Sequence, residues 1–165
     1  MAKGRTKAKS PKAPVTPDIG FNSPHDWLEY NVLPALAEFS ETPQRASAIR
    51  FAKAAWHLHD RLWHQRGKPN REKFVAGLFA ACPDLARVRD LADAGKHHQL
   101  DRPSVTLAGI AGAEGGGTSE SCGPFGMTSS MDRGSLAFVD NNGSRYDLHT
   151  MFRQVVRFWQ SEIKK

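Results

Sequence analysis

From residue 24 onward, apolar side chains recur three and four positions apart, the pattern of helices that bury one stripe. The first such run covers 24–40, with Trp27, Leu28, Val32, Leu33, Leu36 and Phe39 on one face. Ser23 can cap it, and Pro24 stands at the first helical position, where a missing N–H is harmless. Pro34 falls inside the run and is expected to kink or split it. A second start signal at Thr42-Pro43 predicts a long helix over 43–66, ended by Gly67. Its apolar positions come in pairs from 48/49 to 62/63, so the stripe covers nearly half the circumference. Such a helix touches more than one neighbour and belongs at the centre. Two shorter helices follow over 70–81 and 84–98. The second turns Leu85, Val88, Leu91, Ala92 and Gly95 inward.

The pattern changes after Asp101. Residues 105–110 are β-like, and 111–131 form a Gly/Ser-rich loop. Residues 135–139 and 145–148 flank Asp140-Asn141-Asn142-Gly143, a strong hairpin turn. A last amphipathic helix covers 148–163. The predicted fold class is mainly α: a bundle of about five helices with a small antiparallel β-hairpin or sheet inserted before the C-terminal helix.

A chain of 165 residues with 39% hydrophobic and 24% charged positions suits one globular domain, expected over 21–165. No run approaches the ~20 apolar residues that span a bilayer. The N-terminal charges have no apolar segment behind them, so no secretory signal is expected. Cys82 and Cys122 are too few for a disulfide framework or a four-cysteine zinc site, and a reducing cytoplasm is the expected compartment. Charge is unevenly placed. Of the formal +6, Lys3, Arg5, Lys7, Lys9 and Lys12 contribute five within residues 1–17, which hold no acid, and the body is left near about +1. Residues 1–20 read as a disordered basic tail, either solubilising or able to grip phosphates without reading sequence.

Five of the seven histidines lie in two of the predicted helices, at 57, 59, 64, 97 and 98. On the long helix, His59 falls within the apolar stripe and is expected to be a core residue bonded to a carbonyl or an acid. His57, Asp60 and His64 share a narrow arc at the edge of that stripe. On the helix over 84–98, Asp90, Asp93 and His97 share the face opposite the core, flanked by Arg89 and Lys96. Three readings fit. In the first, the faces are solvated surfaces with local Asp–His pairs. Alternatively, Arg89 stabilises a phosphate while His97 moves protons at a ribose hydroxyl or leaving oxygen. In the third, acid and imidazole from facing helices hold a divalent metal, although no Glu-x-x-His pair is present.

The Arg89-Asp90…His97 stretch resembles the signature of the HEPN superfamily, all-helical proteins that include many dimeric ribonucleases of toxin and phage-defence systems. Seven residues separate Arg89 from His97, one more than the family pattern. The resemblance covers residues 24–100 and implies an RNA-directed protein, with homodimerisation bringing two Arg/His pairs together. It implies metal-independent cleavage without a cofactor: Arg89 would hold the phosphate, His97 would carry the proton and Asp90 would orient. His57, Asp60, His64 and Asp93 would be auxiliary. The rival from another class is a non-catalytic protein-interaction module whose polar helix faces meet a partner. The loop at 112–118 lacks the Gly-Lys-Ser/Thr ending of a phosphate loop. The four tryptophans fall on apolar helix faces and are expected in the core.

Overall fold

The computed structural model describes residues 23–67, 70–94, 107–111 and 136–165. The tail over 1–20, the glycine-rich segment over 112–131 and the end of the helix predicted over 84–98 lie outside the described residues. In chain order the elements are α1 (Pro24–Trp27), a π-helical turn (Leu28–Val32), α2 (Leu33–Glu41), α3 (Arg45–Arg66), α4 (Arg71–Ala81) and α5 (Pro83–Ala94). These are followed by β1 (Leu107–Ala111), β2 (Ala137–Asp140), β3 (Arg145–Asp147) and α6 (Leu148–Glu162). The three strands form one antiparallel sheet in the order β1-β2-β3. The fold is therefore mainly α with a small sheet before the C-terminal helix.

Pro34 neither breaks the first helix nor ends it. The helix widens into the π turn just before it, where the Leu33 N–H bonds to the Leu28 carbonyl, five residues back. Proline offers no N–H and its ring crowds the carbonyl four residues earlier, and one wide turn relieves both conflicts. Trp27 then fixes this segment to α3: its indole N–H donates to the Ala54 carbonyl at 2.9 Å, and the Arg61 guanidinium lies 3.9 Å over its ring.

The start of α3 falls two residues later than Thr42-Pro43 suggests. Gln44 is the cap, in a reciprocal arrangement with Ser47, whose hydroxyl accepts the Gln44 N–H at 3.1 Å. Its end is as expected: Gly67 adopts the left-handed conformation at φ 56°. Between them, Ala48, Phe51, Ala52, Ala55, Leu58, His59 and Leu62 are all buried. Phe51 stacks on Phe152 of α6 with centroids 4.0 Å apart, and Phe39 meets the same ring edge-on at 4.9 Å. At the far end Arg66 donates to the Glu162 carboxylate at 2.8 Å and to its carbonyl at 2.6 Å, joining the C-termini of α3 and α6.

The hairpin turn is organised by one side chain. Asp140 accepts the N–H groups of Asn142 and Ser144, each at 2.9 Å, and the Tyr146 hydroxyl at 3.3 Å. Burial alone would raise its pKa, but these donors outweigh burial and hold it below the usual value. Gly143 takes φ 79° there. Arg87 of α5 lies 3.8 Å over the Tyr146 ring while bonding Asp84 at 2.6 Å, so the hairpin is held against the bundle. Asp147 caps α6 by accepting the Thr150 N–H at 2.8 Å.

Gly67 isolates the backbone contribution to this fold. A Cβ added there would meet nothing within 4 Å, so Gly67→Ala introduces no clash and only places alanine in a left-handed conformation. We expect a loss of about 1 kcal/mol in stability, read as a lower urea midpoint with an unchanged slope.

Candidate functional site

The two stretches singled out by their histidines and acids meet through a pair of aromatic rings. Trp56 of α3 and Phe79 of α4 lie nearly parallel, with centroids 5.7 Å apart and planes inclined by 21°. On the α3 side, the His59 ring stacks on Trp56 at 3.8 Å. On the α5 side, the Arg89 guanidinium lies 5.5 Å from the Phe79 ring centre. A cleft of about 350 Å³ opens along these rings and is lined by Trp56, His59, Arg71, Glu72, Val75, Ala76 and Phe79.

His59 is 1% exposed, and its ring is hydrogen-bonded at both ends. Nδ1 lies 2.5 Å from the Trp56 carbonyl, which identifies it as the N–H donor. Nε2 therefore has a lone pair to offer, and it accepts from Arg71 at 3.2 Å. Arg71 also donates to the Asp60 carboxylate at 2.5 Å, with that carboxylate 3.2 Å from Nε2. Burial pushes the His59 pKa below its ordinary value of 6.5. The bond to the Trp56 carbonyl and the Asp60 charge oppose this without cancelling it, while Arg71 and His57 press in the same direction as burial. A neutral imidazole with both nitrogens engaged is a fixed structural group, as expected for a core histidine.

The arc of His57, Asp60 and His64 does not converge on one point. Asp60 turns to Arg71 and is half-buried, whereas His57 and His64 are exposed, and the His64 ring sits edge-on to Trp63 at 4.6 Å. On α5, Arg89 reaches Asp90 through Nε at 3.3 Å and a terminal nitrogen at 3.2 Å. Here one expectation is corrected. Asp90 does not share an exposed polar face with Asp93. It is 0% exposed, as Val88 is, and Ala86 one turn earlier is buried as well. Because α5 packs against α3, α4, α6 and β1, it is covered on more of its circumference than its apolar residues mark. Asp93 is half-buried near the end of α5. His97 lies outside the described residues, as do Lys3, Arg5, Lys7, Lys9 and Lys12.

Two features of these surfaces stand outside the histidine-bearing stretches. Arg71, the residue that organises Asp60 and His59, begins a different helix and carries no local signature. The second is the outer face of α6. The inner face buries Met151, Phe152, Val155, Val156 and Trp159. The outer face exposes Arg153, Gln154, Arg157, Gln160 and Ser161, and Lys164 is exposed in the turn that follows the helix. The helix has one acid, Glu162, which is buried and engaged by Arg66 and Lys165. Arg153 and Arg157 thus stand one turn apart, about 6 Å along the axis, on a face with no exposed carboxylate of its own. Spacings of 153, 157, 160 and 164 could have revealed this stripe once the apolar face of the same helix was drawn.

Among the described residues, no three His, Cys, Asp or Glu side chains stand close enough to hold a metal ion, and no helix is long and apolar enough to cross a membrane. No protein-family model, curated protein or solved structure matches the chain.

The buried neutral histidine makes stability depend on pH. Its folded pKa is depressed, so the unfolded chain takes up a proton first as pH falls below 6.5. The stability is whole above that value and declines below it. Urea midpoints at about pH 7 and about pH 5.5 should fall for the wild type and change less for His59→Leu. Equal pH dependence in both proteins would refute a buried neutral imidazole.

Proposed function

We propose that this protein is an RNA-directed binding protein that grips the phosphate backbone with the outer face of α6. The observation that carries the reading is the exposed pair Arg153 and Arg157 on a helix whose one acid is buried, with exposed Lys164 just past the helix end. Cations in a row along a helix, free of interleaved carboxylates, are the electrostatic footprint of a polyanion partner. Lysine and arginine in the last turn also suit the negative end of a helix dipole. Arg153 and Arg157 lie earlier in α6, where that explanation does not reach. Exposed positions on this face are polar or charged, with no aromatic or large aliphatic residue to enter a lipid interface. The five basic residues of the tail add cations to the same chain. RNA, rather than duplex DNA, is the choice implied by the HEPN resemblance.

Binding is favoured over cleavage at the described residues because the available imidazole at the cleft, His59, is committed at both nitrogens. Cleavage would have to come from Arg89 and His97, two pairs of which a homodimer would bring together. A nuclease assay with structured RNA in EDTA, comparing wild type with Arg89→Ala and His97→Ala, decides this part. Cleavage lost in both variants would assign an endoribonuclease, and intact RNA throughout supports binding alone.

For the binding itself, fluorescence anisotropy with labelled RNA should show affinity falling steeply with salt. The double variant Arg153→Glu/Arg157→Glu should weaken binding by at least about tenfold and lower the salt slope by about two. Lys73→Glu, a reversal of equal sign on exposed α4, serves as the control and should change little. Equal loss in the control and the double variant would remove the α6 face from consideration.

A further inference from the structure

We propose that the turn between β2 and β3 is a latent site of self-modification, where Asn142 is converted to aspartate or isoaspartate, and that Asp140 holds the reaction in check. The reacting atoms belong to neighbours in the chain. Asn142 carries a side-chain amide, and Gly143 supplies the backbone nitrogen that can attack it. Both residues are exposed, so water and hydroxide reach them. Gly143 has no side chain to shield its nitrogen, and a Cβ placed there would meet nothing within 4 Å. The turn also calls for glycine here, because φ is 79°. The residue that the hairpin needs for its conformation is therefore the one that leaves Asn142 most open to attack. Asn141 is followed by Asn142, whose side chain crowds the corresponding nitrogen.

The chemistry needs only water. Hydroxide takes the proton from the Gly143 N–H, and the nitrogen attacks Cγ of Asn142. A succinimide ring closes, and the side-chain nitrogen leaves as ammonia after taking a proton from water. A water molecule then adds to either ring carbonyl. Breaking the bond from Cγ to nitrogen restores the ordinary backbone, with aspartate at position 142. Breaking the bond from the backbone carbonyl carbon to nitrogen sends the chain through Cγ, as isoaspartate. In sum a water is consumed and an ammonia released, and nothing is oxidised or reduced.

The folded turn restrains each of these atoms through Asp140. The Gly143 N–H donates to the Asp140 carbonyl at 2.9 Å, so the proton that the reaction removes is already committed. Asp140 Oδ1 accepts the N–H groups of Asn142 and Ser144, each at 2.9 Å, and so pins the chain on both sides of the reacting peptide. The Asp140 N–H donates to the Ser144 carbonyl at 3.1 Å and closes the loop. Asp140 is ionised at neutral pH, since its donors hold its pKa below the usual value. A carboxylate at this distance disfavours a second negative charge on the neighbouring nitrogen. Reaction therefore starts from the opened turn, a local event with its own equilibrium. The product does not reclose as before. A new carboxylate at position 142 repels Asp140, and isoaspartate lengthens the chain between β2 and β3. The bond from Tyr146 to Asp140 and the contact of Arg87 with the Tyr146 ring both depend on that turn.

The full chain is incubated in mildly alkaline buffer, and peptide mapping by mass spectrometry follows conversion at position 142. Concentrated urea should accelerate conversion in the wild type at least about tenfold over native buffer, because the protecting hydrogen bonds to a charged group are lost. Asp140→Ala, with its helical fold checked by circular dichroism, should gain at least about tenfold in native buffer for the same reason. Gly67→Ala weakens the fold away from the hairpin and should react at the wild-type rate. If Asp140→Ala does not fold, Asp140→Asn takes its place. It keeps an acceptor oxygen without the charge, and should still convert position 142 severalfold faster than the wild type. No conversion in urea would overturn the site. Equal rates in urea and native buffer would overturn the protection. A folded Asp140 variant reacting at the wild-type rate, or Gly67→Ala reacting as fast as the Asp140 variant, would overturn the role of Asp140.

Discussion

Because Ala48, Ala52 and Ala55 project nothing beyond Cβ, neighbouring elements can approach the α3 backbone closely along its buried side, and the rest of the molecule is arranged around that approach. Small residues at these positions leave room for the large ones that follow. Phe51 can then reach Phe152 of α6, and Leu58 and Leu62 can pack without exposing their surface. The layers of this bundle are therefore set by α3, which touches α1, the π turn, α2, α4, α5 and α6. Interiors packed to this density transmit small misfits, so the exit of α3 through Gly67 and its tie to α6 through Arg66 and Glu162 both bear on where the outer helices lie.

The two candidate surfaces differ in what the fold has done to charge. At the cleft, opposite charges are brought together: Arg71 is taken up by Asp60 and His59, and Arg89 by buried Asp90. Carboxylates and guanidiniums partly removed from water require partners, so pairing dominates there. On α6 the acid is withdrawn and the cations are left outside. One surface is nearly neutral with aromatic walls, and the other is positive and polar.

Much of the site was legible locally. His59 on the apolar stripe, Asp60 at its edge, and Arg89 beside Asp90 follow from helical periodicity alone. What periodicity could not supply was the partner of Asp60. Arg71 lies beyond Gly67 in another helix, and only the angle at which α4 returns brings the two together. The reading of Asp90 as exposed failed for a related reason. A helix wheel divides a helix by its own residues, whereas burial is decided by how many neighbours surround it. With α5 covered on several sides, an acid drawn opposite Val88 is also enclosed.

By itself the sequence determined the order and kind of the elements: the caps at Ser23, Asn70 and Asp147, the stop at Gly67, the turn at 140–143 and the amphipathic faces are all local chemistry. Short-range hydrogen bonds and backbone conformation act within a few residues, so they are written where they operate. The tertiary structure alone decided which charges are spent and which remain. Whether Arg71 is free or held, whether Asp90 is wet or enclosed, and whether Glu162 belongs to the outer face of α6 depend on groups distant in sequence and adjacent in space. Electrostatic and burial energies are set by those spatial neighbours, so the same side chains could serve as surface, support or site until the helices were packed.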